Sequence, residues 1–201
     1  MYTCWYVSNN ALHDMIYIQD SFLKPMIFKA LLDYADDFKE IKTPGKSFWV
    51  KELPEQFPNL LAKGLYSIEG KNINIIRAFI RKAEGNEDDE WRIHNDTIIE
   101  GQKPDRAAVL YLESNYHDLN GTAFWEHENY GETYIESDAE EFNRMLIDDA
   151  DDKSKWKLKS IIGYKPNRLL SYPCNYFHSK YPNKFNNPRK VLVIFYKYVT
   201  E

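Results

Sequence analysis

Apolar and polar positions follow two different periods along this chain, and each period predicts a different kind of element. Apolar residues recur every three to four positions from Phe22 to Phe38 and again from Pro58 to Glu69, a spacing typical of amphipathic helices. Pro25 falls in the first turn of the first helix, where its missing N–H costs little. Between the two helices, residues 43 to 58 contain proline and glycine breaks and are predicted to form a loop.

The remainder of the chain contains runs of β-branched, aromatic and aliphatic residues that are typical of strands. The strongest runs are residues 73–82 (INIIRAFIRK), 106–113 (RAAVLYLE) and 189–199 (RKVLVIFYKYV). Because the last two are almost continuously apolar, we expect central strands covered on both faces. Shorter strands are predicted at residues 14–19, 122–127, 156–164 and 168–172, and in a short piece that ends at His178.

An acidic segment at about residues 130–155 interrupts the series of strands. Phe142, Met145 and Leu146 stand at helical spacing within it, so it predicts an inserted helix with a solvated acidic face. Two helices followed by roughly eight short strands predict a mainly β, α+β chain. The expected fold is a jelly roll (double-stranded β-helix) with the N-terminal helices packed on one face. The 201 residues are expected to form one domain, 1–201, that carries the insertion.

Composition narrows the classes of function. The net charge of -5 gives no reason to expect nucleic acid or an anionic membrane as a partner. Cys4 and Cys174 are far apart and in no metal-binding spacing, which fits a reducing compartment. The first residues show no basic and apolar leader, and no apolar run reaches the length of a membrane span, so we expect a cytoplasmic chain. The sequence gives no indication of oligomeric state.

A candidate metal site begins at His94-Asn95-Asp96, the one place where a carboxylate follows a histidine by two residues. On a strand or at a strand end, positions i and i+2 face the same way, so both side chains can reach one ion. A second, distant histidine would complete the two-histidine, one-carboxylate triad of non-haem iron(II), and His178 supplies it. Taken alone, the motif is equally typical of an exposed turn histidine. His127, between two glutamates, is the alternative ligand, whereas His13 and His117 fit surface roles.

An arginine completes the candidate site. Arg189 follows His178 by 11 residues at the start of the last strand. Its planar guanidinium can bind a carboxylate through two parallel hydrogen bonds, which lysine cannot reproduce. Arg77 and Arg81 share one face of an earlier strand and either line the pocket or face solvent.

In these residues the sequence resembles the iron(II)- and 2-oxoglutarate-dependent oxygenases, specifically their prolyl-4-hydroxylase-like branch. The similar stretches are residues 16–23 (IYIQDSFL), His94-Asn95-Asp96, 109–112 (VLYL), 120–124 (NGTAF), His178 and Arg189. Asn120 stands where the branch has the first glycine of a Gly-Gly-x-Thr-x-Phe stretch, and the acidic insertion is not part of the minimal pattern.

The resemblance implies a function and a role for each site residue. His94, Asp96 and His178 would hold catalytic iron(II), while Arg189 and Tyr111 would bind the far carboxylate of the co-substrate 2-oxoglutarate. Ascorbate would serve as an accessory reductant. The implied reaction hydroxylates a C–H bond of a peptide, an amino acid or another small substrate, with formation of succinate and CO2. The retained Asp96 favours hydroxylation over halogenation.

Two other classes stay open at this point. One is a metal-binding, cupin-like jelly roll that does not use 2-oxoglutarate. The other is a non-catalytic module whose acidic segment, Asp138 to Asp152, docks a basic partner.

Overall fold

The architecture is taken from a computed structural model that describes residues 15–35, 38–43, 46–83, 91–112, 120–134, 139–184 and 188–199. In chain order the elements are β1 (Tyr17–Gln19), α1 (Pro25–Tyr34), β2 (Lys39–Thr43), β3 (Lys46–Glu52), α2 (Phe57–Glu69), β4 (Ile73–Ala83), β5 (Arg106–Tyr111), β6 (Gly121–His127), α3 (Ala139–Asp149), β7 (Trp156–Gly163), β8 (Leu169–Pro173), β9 (His178–Tyr181) and β10 (Arg189–Tyr198). No helix among these elements is long and apolar enough to cross a membrane.

The strands form two antiparallel sheets. The larger has seven strands in the order β1-β8-β5-β10-β4-β3-β2, and the smaller has three in the order β7-β6-β9. Neighbours in the larger sheet come from distant parts of the chain, with β10 between β4 and β5. This arrangement confirms the predicted jelly roll.

Side chains alternate between the two faces of the larger sheet along its central strands, and they form one apolar core on each face. Ile80, Leu110 and Leu192 belong to one face of the larger sheet and pack against Leu61 and Leu65 of α2. Val109, Tyr111 and Val191, each one position away in sequence, belong to the other face, in the second core between the sheets, together with Phe195 further along β10. Because both faces are covered, the strands read as continuous apolar runs. The helices cover only one face, so the other face is left for a site.

Helix α3 covers the smaller sheet from outside. Its Phe142 and Met145 are buried against Trp125, Trp156 and Phe177. Within the described residues of the acidic segment the α-helix spans Ala139–Asp149, and its apolar stripe faces the sheet as its helical spacing predicted.

Two predictions about the N-terminal part were wrong. The loop expected at residues 43–58 contains β3, which pairs with β2 to form a hairpin at the edge of the larger sheet. The first helix ends at Tyr34 and not at Phe38, because Phe38 instead packs on the helix-side core directly before β2.

Candidate metal centre

The three predicted ligands lie together at one end of the space between the sheets. One side-chain ligand atom from each of His94, Asp96 and His178 lies within 4.8 Å of the others. The Asp96 carboxylate stands between the imidazoles, with Oδ1 3.7 Å from His94 Nε2 and Oδ2 3.3 Å from His178 Nε2. Elsewhere in the described ranges, no other group of three such side chains is this close.

Backbone hydrogen bonds hold the three residues in register. His94 and His178 form an isolated antiparallel bridge in which each N–H donates to the other's carbonyl, at 3.0 and 2.8 Å. The N–H of Asp96 donates to the carbonyl of Cys174 at 2.8 Å. Since directly paired residues of antiparallel strands lie side by side, this bridge brings together histidines that are 84 positions apart in the sequence.

Both imidazoles are set in the tautomer that a metal requires. His94 Nδ1 lies 2.7 Å from the carbonyl of Arg92, and His178 Nδ1 lies 2.9 Å from the carbonyl of Tyr176. A carbonyl only accepts, so each Nδ1 carries the proton and each Nε2 keeps its lone pair toward Asp96. Such an outer hydrogen bond is typical of metal-binding histidines.

The local environment favours the neutral form of the His94 imidazole and the protonated forms of the Tyr172 hydroxyl and the Cys174 thiol. Desolvation of the imidazole by its neighbours and the adjacent His178 lower the pKa of His94, so this imidazole is neutral at neutral pH. Burial and the charge of Asp96 raise the pKa values of the Tyr172 hydroxyl and the Cys174 thiol. Cys174 therefore contributes to the centre through its carbonyl, which accepts from the N–H of Asp96, and not through a thiolate.

The centre is accessible from one side. The His94 side chain is 42% exposed, whereas Asp96 and His178 are 11% and 7% exposed. A molecule that enters the cavity thus meets His94 first.

A cavity of about 120 Å³ extends from the three ligands between the sheets. Arg189 lines it and is only 9% exposed. Its Nη2 lies 3.4 Å from the carbonyl of Gly121, and its Nε has no hydrogen-bond partner within the part of the chain that the structure describes. A side chain at position 121 would collide with the Ile162 carbonyl, which explains why this position holds a glycine.

Tyr111 lies directly behind the cavity wall. Its hydroxyl donates to Thr122 Oγ1 at 2.9 Å, with the Ile162 carbonyl at 3.2 Å, and its ring stacks on Tyr164. Thr122 lines the cavity itself. The Arg189 guanidinium carbon is 5.8 Å from the centre of the Tyr111 ring. Contact of Tyr111 with a co-substrate stays a prediction.

Other predicted residues fall outside the centre. His127 is buried and bonds to Asp149 at 3.2 Å, which makes it a structural histidine and removes it as the alternative ligand. Arg77 forms ion pairs with Glu52 and Glu100, while Arg81 lines the cavity. His13 and His117 lie outside the described residues.

No role was predicted for several residues that line the cavity: Arg92, Thr122, Tyr172 and Lys180. A signal existed for Lys180, which follows His178 by two residues and so is on the same side of β9 as this predicted ligand. Arg92 also stands two residues from a predicted ligand, His94, but its left-handed backbone, with φ +48°, is not strand geometry.

No protein-family model and no curated protein matches this sequence. Solved structures are similar to most of the chain, among them the following three. The non-haem α-ketoglutarate-dependent carbocyclase SnoK from nogalamycin biosynthesis is 11% identical with a TM-score of 0.61, covering 94% of this chain and 83% of SnoK. A prolyl-4-hydroxylase of Pseudomonas putida is 10% identical with a TM-score of 0.56, covering 92% and 94%. HygX from Streptomyces hygroscopicus, with nickel and 2-oxoglutarate bound, is 10% identical with a TM-score of 0.58, covering 96% and 88%. Another HygX structure also contains hygromycin B. The chain therefore shares the jelly-roll fold of the 2-oxoglutarate oxygenases.

Proposed function

We propose that this protein is an iron(II)- and 2-oxoglutarate-dependent dioxygenase that hydroxylates a C–H bond of a small molecule. One observation carries the proposal. The cavity that holds the His94, Asp96 and His178 cluster also holds a buried arginine whose Nε lacks a partner among the described residues. The same fold in HygX binds nickel and 2-oxoglutarate, which supports the assignment.

The donor set fits iron(II). Two imidazoles and one carboxylate leave part of the coordination sphere open, as non-haem iron oxygenases require. His94, Asp96 and His178 would hold the ion, and the backbone bridge between the histidines keeps them in place before it binds. The carbonyls of Arg92 and Tyr176 fix the ring orientations.

The inner end of the cavity fits a dicarboxylate. Burial of a guanidinium with an unsatisfied N–H is costly, and a carboxylate would satisfy it through a charge-assisted pair. Arg189 would bind the far carboxylate of 2-oxoglutarate, with the Thr122 hydroxyl in the adjacent wall. When bound, iron(II) and 2-oxoglutarate supply O2-dependent oxidising chemistry that yields succinate, CO2 and a hydroxylated substrate. The chain orients the reactants and excludes water with the apolar walls formed by Val109, Val191 and Phe195.

Succinate formation by protein supplied with iron(II), 2-oxoglutarate, ascorbate and O2 tests this function. We expect turnover in the natural protein and none in His178→Ala, which should also lose Mn(II) binding. His127→Gln is the matched control, because His127 is an equally buried histidine beside a carboxylate but lies outside the centre. Equal turnover in His178→Ala and the natural protein would contradict the proposal.

Co-substrate binding separates this function from a cupin-like metal protein. In the Mn(II)-loaded protein, 2-oxoglutarate should raise the melting temperature, because a ligand that binds only the folded state stabilises it. Arg189→Lys should weaken this binding by about tenfold or more through loss of the paired hydrogen bonds. Metal binding without any response to 2-oxoglutarate would favour the cupin-like class.

A further inference from the structure

An apolar groove lies beside the metal cavity on the inner face of the larger sheet, the face turned toward the smaller sheet. The groove has a volume of about 330 Å³, and Phe79, Arg81 and Phe195 line both the groove and the cavity. We infer that this groove binds the body of the substrate, and that the substrate is a small molecule with an uncharged, apolar ring system. This inference rests on the proposed function and names the substrate class for the same site.

The cavity at the metal centre is too small for two reactants. Its volume is about 120 Å³, whereas sites for small molecules usually measure about 300–1,000 Å³. Because 2-oxoglutarate bound beside Arg189 would fill most of the cavity, the substrate has to extend beyond it. The groove is nearly three times as large as the cavity and shares three of its wall residues.

The floor of the groove is a part of the larger sheet. The smaller sheet has three strands against seven in the larger one, so it does not cover the whole inner face. Val50 of β3 pairs with Arg81 of β4, and both side chains therefore lie on this face. Phe195 of β10 pairs with Arg77 of β4 in the same way. The rings of Phe79 and Phe195, with centres 6.3 Å apart, give the floor its aromatic surface.

The opposite wall is the segment that directly follows the candidate ligand Asp96. Ile98 and Ile99 contribute its apolar side chains. Ile99 and Gln102 form a backbone bridge in which each N–H donates to the other's carbonyl, at 2.8 and 2.9 Å. The two residues between them have φ +51° and +73°, and positive φ at both positions is what a type I′ turn requires. The wall is therefore a defined turn that begins next to the metal centre.

Ion pairs join this turn to the floor of the groove. Arg77 Nη1 lies 2.9 Å from Glu100 Oε1 in the turn, and Arg77 Nη2 lies 2.9 Å from Glu52 Oε1 of β3. The guanidinium carbon of Arg77 also stands 5.1 Å from the centre of the Phe79 ring. These pairs fix the distance between wall and floor, and they match the charge of Arg77 within the protein.

Ile98 leaves apolar surface for a ligand to cover. Its side chain lines the groove and is 63% exposed, although burial of such a side chain is favourable. A ligand held between Ile98 and the floor would remove this surface from water. Rings suit the position, because aromatic groups pack on Phe79 and Phe195 in offset or edge-to-face contacts. The apolar walls thus favour a ring system over a polar chain.

Binding of 1-naphthalenemethanol tests the inference, because this neutral molecule consists mainly of a fused aromatic ring. Sorbitol is the matched ligand, since it has the same number of non-hydrogen atoms but is polar throughout. Both are titrated by calorimetry into the Mn(II)-loaded protein saturated with 2-oxoglutarate. We expect 1-naphthalenemethanol to bind about tenfold or more tightly than sorbitol, through burial of apolar surface. Equal binding of the two, or tighter binding of sorbitol, would overturn the inference.

Nuclear magnetic resonance locates the bound molecule. Paramagnetic Mn(II) accelerates the relaxation of nearby protons, whereas diamagnetic Zn(II) does not. The proton signals of 1-naphthalenemethanol should therefore broaden much more with the Mn(II)-loaded protein than with the Zn(II)-loaded protein. Equal broadening in the two samples would place the molecule away from the metal centre and overturn the inference.

A pair of variants assigns the binding to the groove. Ile98→Ser should weaken binding of 1-naphthalenemethanol by about tenfold through loss of apolar contact. Ile147→Ser is the matched control, because Ile147 is an exposed isoleucine of α3 that does not line the groove. Both changes replace an exposed side chain, so both variants should fold. Equal affinities of the two variants would contradict the assignment.

These outcomes are distinct from a failure of the proposed function. If 2-oxoglutarate binds to the Mn(II)-loaded protein but 1-naphthalenemethanol does not, the inference is wrong and the function stands. If 2-oxoglutarate itself fails to bind, both fall.

Discussion

The hydroxyl groups of Tyr111 and Thr122 form a short chain that ends at the cavity. Tyr111 donates to Thr122 Oγ1 at 2.9 Å, which leaves the hydrogen of Thr122 for an acceptor inside the cavity. We therefore expect Thr122→Val to weaken 2-oxoglutarate binding by about five- to tenfold through loss of one hydrogen bond to a charged group. Tyr111→Phe, which acts only through Thr122, should weaken it by less. Calorimetric titration of the Mn(II)-loaded variants measures both effects.

Whichever of Thr122→Val and Tyr111→Phe weakens 2-oxoglutarate binding more identifies the residue that contacts the co-substrate. Tyr111→Phe also removes a buried hydrogen bond and should lower the free energy of unfolding by about 1 kcal/mol. If Tyr111→Phe weakened 2-oxoglutarate binding more than Thr122→Val, the direct contact that the sequence predicted for Tyr111 would hold and the chain through Thr122 would be wrong.

His94 and Asp96 could be predicted as neighbours from their local spacing, whereas positions that depend on strand pairing could not be predicted. The two-residue spacing of His94 and Asp96 is sufficient to place both on one side of a strand. The approach of His178 to this pair depends on the backbone bridge between His94 and His178, which joins segments that are far apart in the chain. Nothing in the local sequence specifies that bridge.

At the scale of elements, the acidic insertion supports the segment that carries the candidate ligands His94 and Asp96. The Ala150 carbonyl accepts from Ile93 N–H at 2.9 Å, and Asp151 Oδ1 accepts from Arg92 N–H at 2.7 Å. Arg92 has φ +48°, an uncommon left-handed conformation that needs such support, and its carbonyl orients His94. The turn that follows α3 therefore fixes the backbone from which His94, the first candidate ligand, extends.

We expect Asp151→Ala to weaken Mn(II) binding by about tenfold, as loss of an outer-shell contact does. Electron paramagnetic resonance titration of Mn(II) measures this loss. Asp151→Asn should retain most of the Mn(II) affinity of the natural protein, because its amide oxygen can accept the same hydrogen bond. Asp148→Ala, an exposed change in α3 three positions before Asp151, is the control. A lower melting temperature with unchanged Mn(II) affinity would show a purely structural role.

A second link between elements joins the turn after β1 to the turn before β8. The Arg168 guanidinium, together with Lys165, lowers the pKa of Asp20 from 3.8 to about 2. A lowered pKa means that the carboxylate stabilises the fold above pH 3.8 and loses this contribution as pH falls through about 2. The group is 40% exposed, so the contribution is about 1 kcal/mol or less.

Asp20→Asn should therefore be less stable than the natural protein by up to about 1 kcal/mol between pH 5 and 8, and equally stable near pH 2. Urea unfolding at several pH values measures the difference. Asp33→Asn, in an exposed pair with Lys29, serves as control and should change stability by less than about 0.5 kcal/mol. A difference that stayed constant down to pH 2 would contradict the assignment.

The hairpin of β2 and β3 shows why element prediction failed locally. Pro44 and Gly45 separate the two strands, so the break that suggested a long loop is a turn signal between strands. The β2 sequence KEIKT has little apolar alternation because β2 lies at the edge of the larger sheet. Central strands such as β5 and β10 were predicted well, since burial on both faces leaves an unambiguous apolar run.

At the scale of the whole molecule, the residues of the candidate site and a polar network that stabilises the fold lie on opposite faces of the larger sheet. The face toward the smaller sheet carries the cavity, and the helix-side face carries a buried polar network around Glu69, whose side chain is fully buried. Arg106, 1% exposed, lies 3.5 Å from the Glu69 carboxylate and also donates to the Met15 carbonyl. The hydroxyls of Ser171, Tyr196 and Tyr198 donate to the same carboxylate. The network thus ties α2 to β5, β8, β10 and the residues before β1.

Removal of Glu69 should therefore destabilise the fold without altering the metal centre. Glu69→Ala leaves the Arg106 charge buried and should lower the free energy of unfolding by about 3–5 kcal/mol. Because a well-packed apolar pair avoids that charge, Glu69→Leu combined with Arg106→Met should recover most of the loss. Urea unfolding measures both, and Mn(II) titration of the folded variants should give the affinity of the natural protein. Weakened Mn(II) binding in the folded double variant would mean that the two faces of the sheet are coupled.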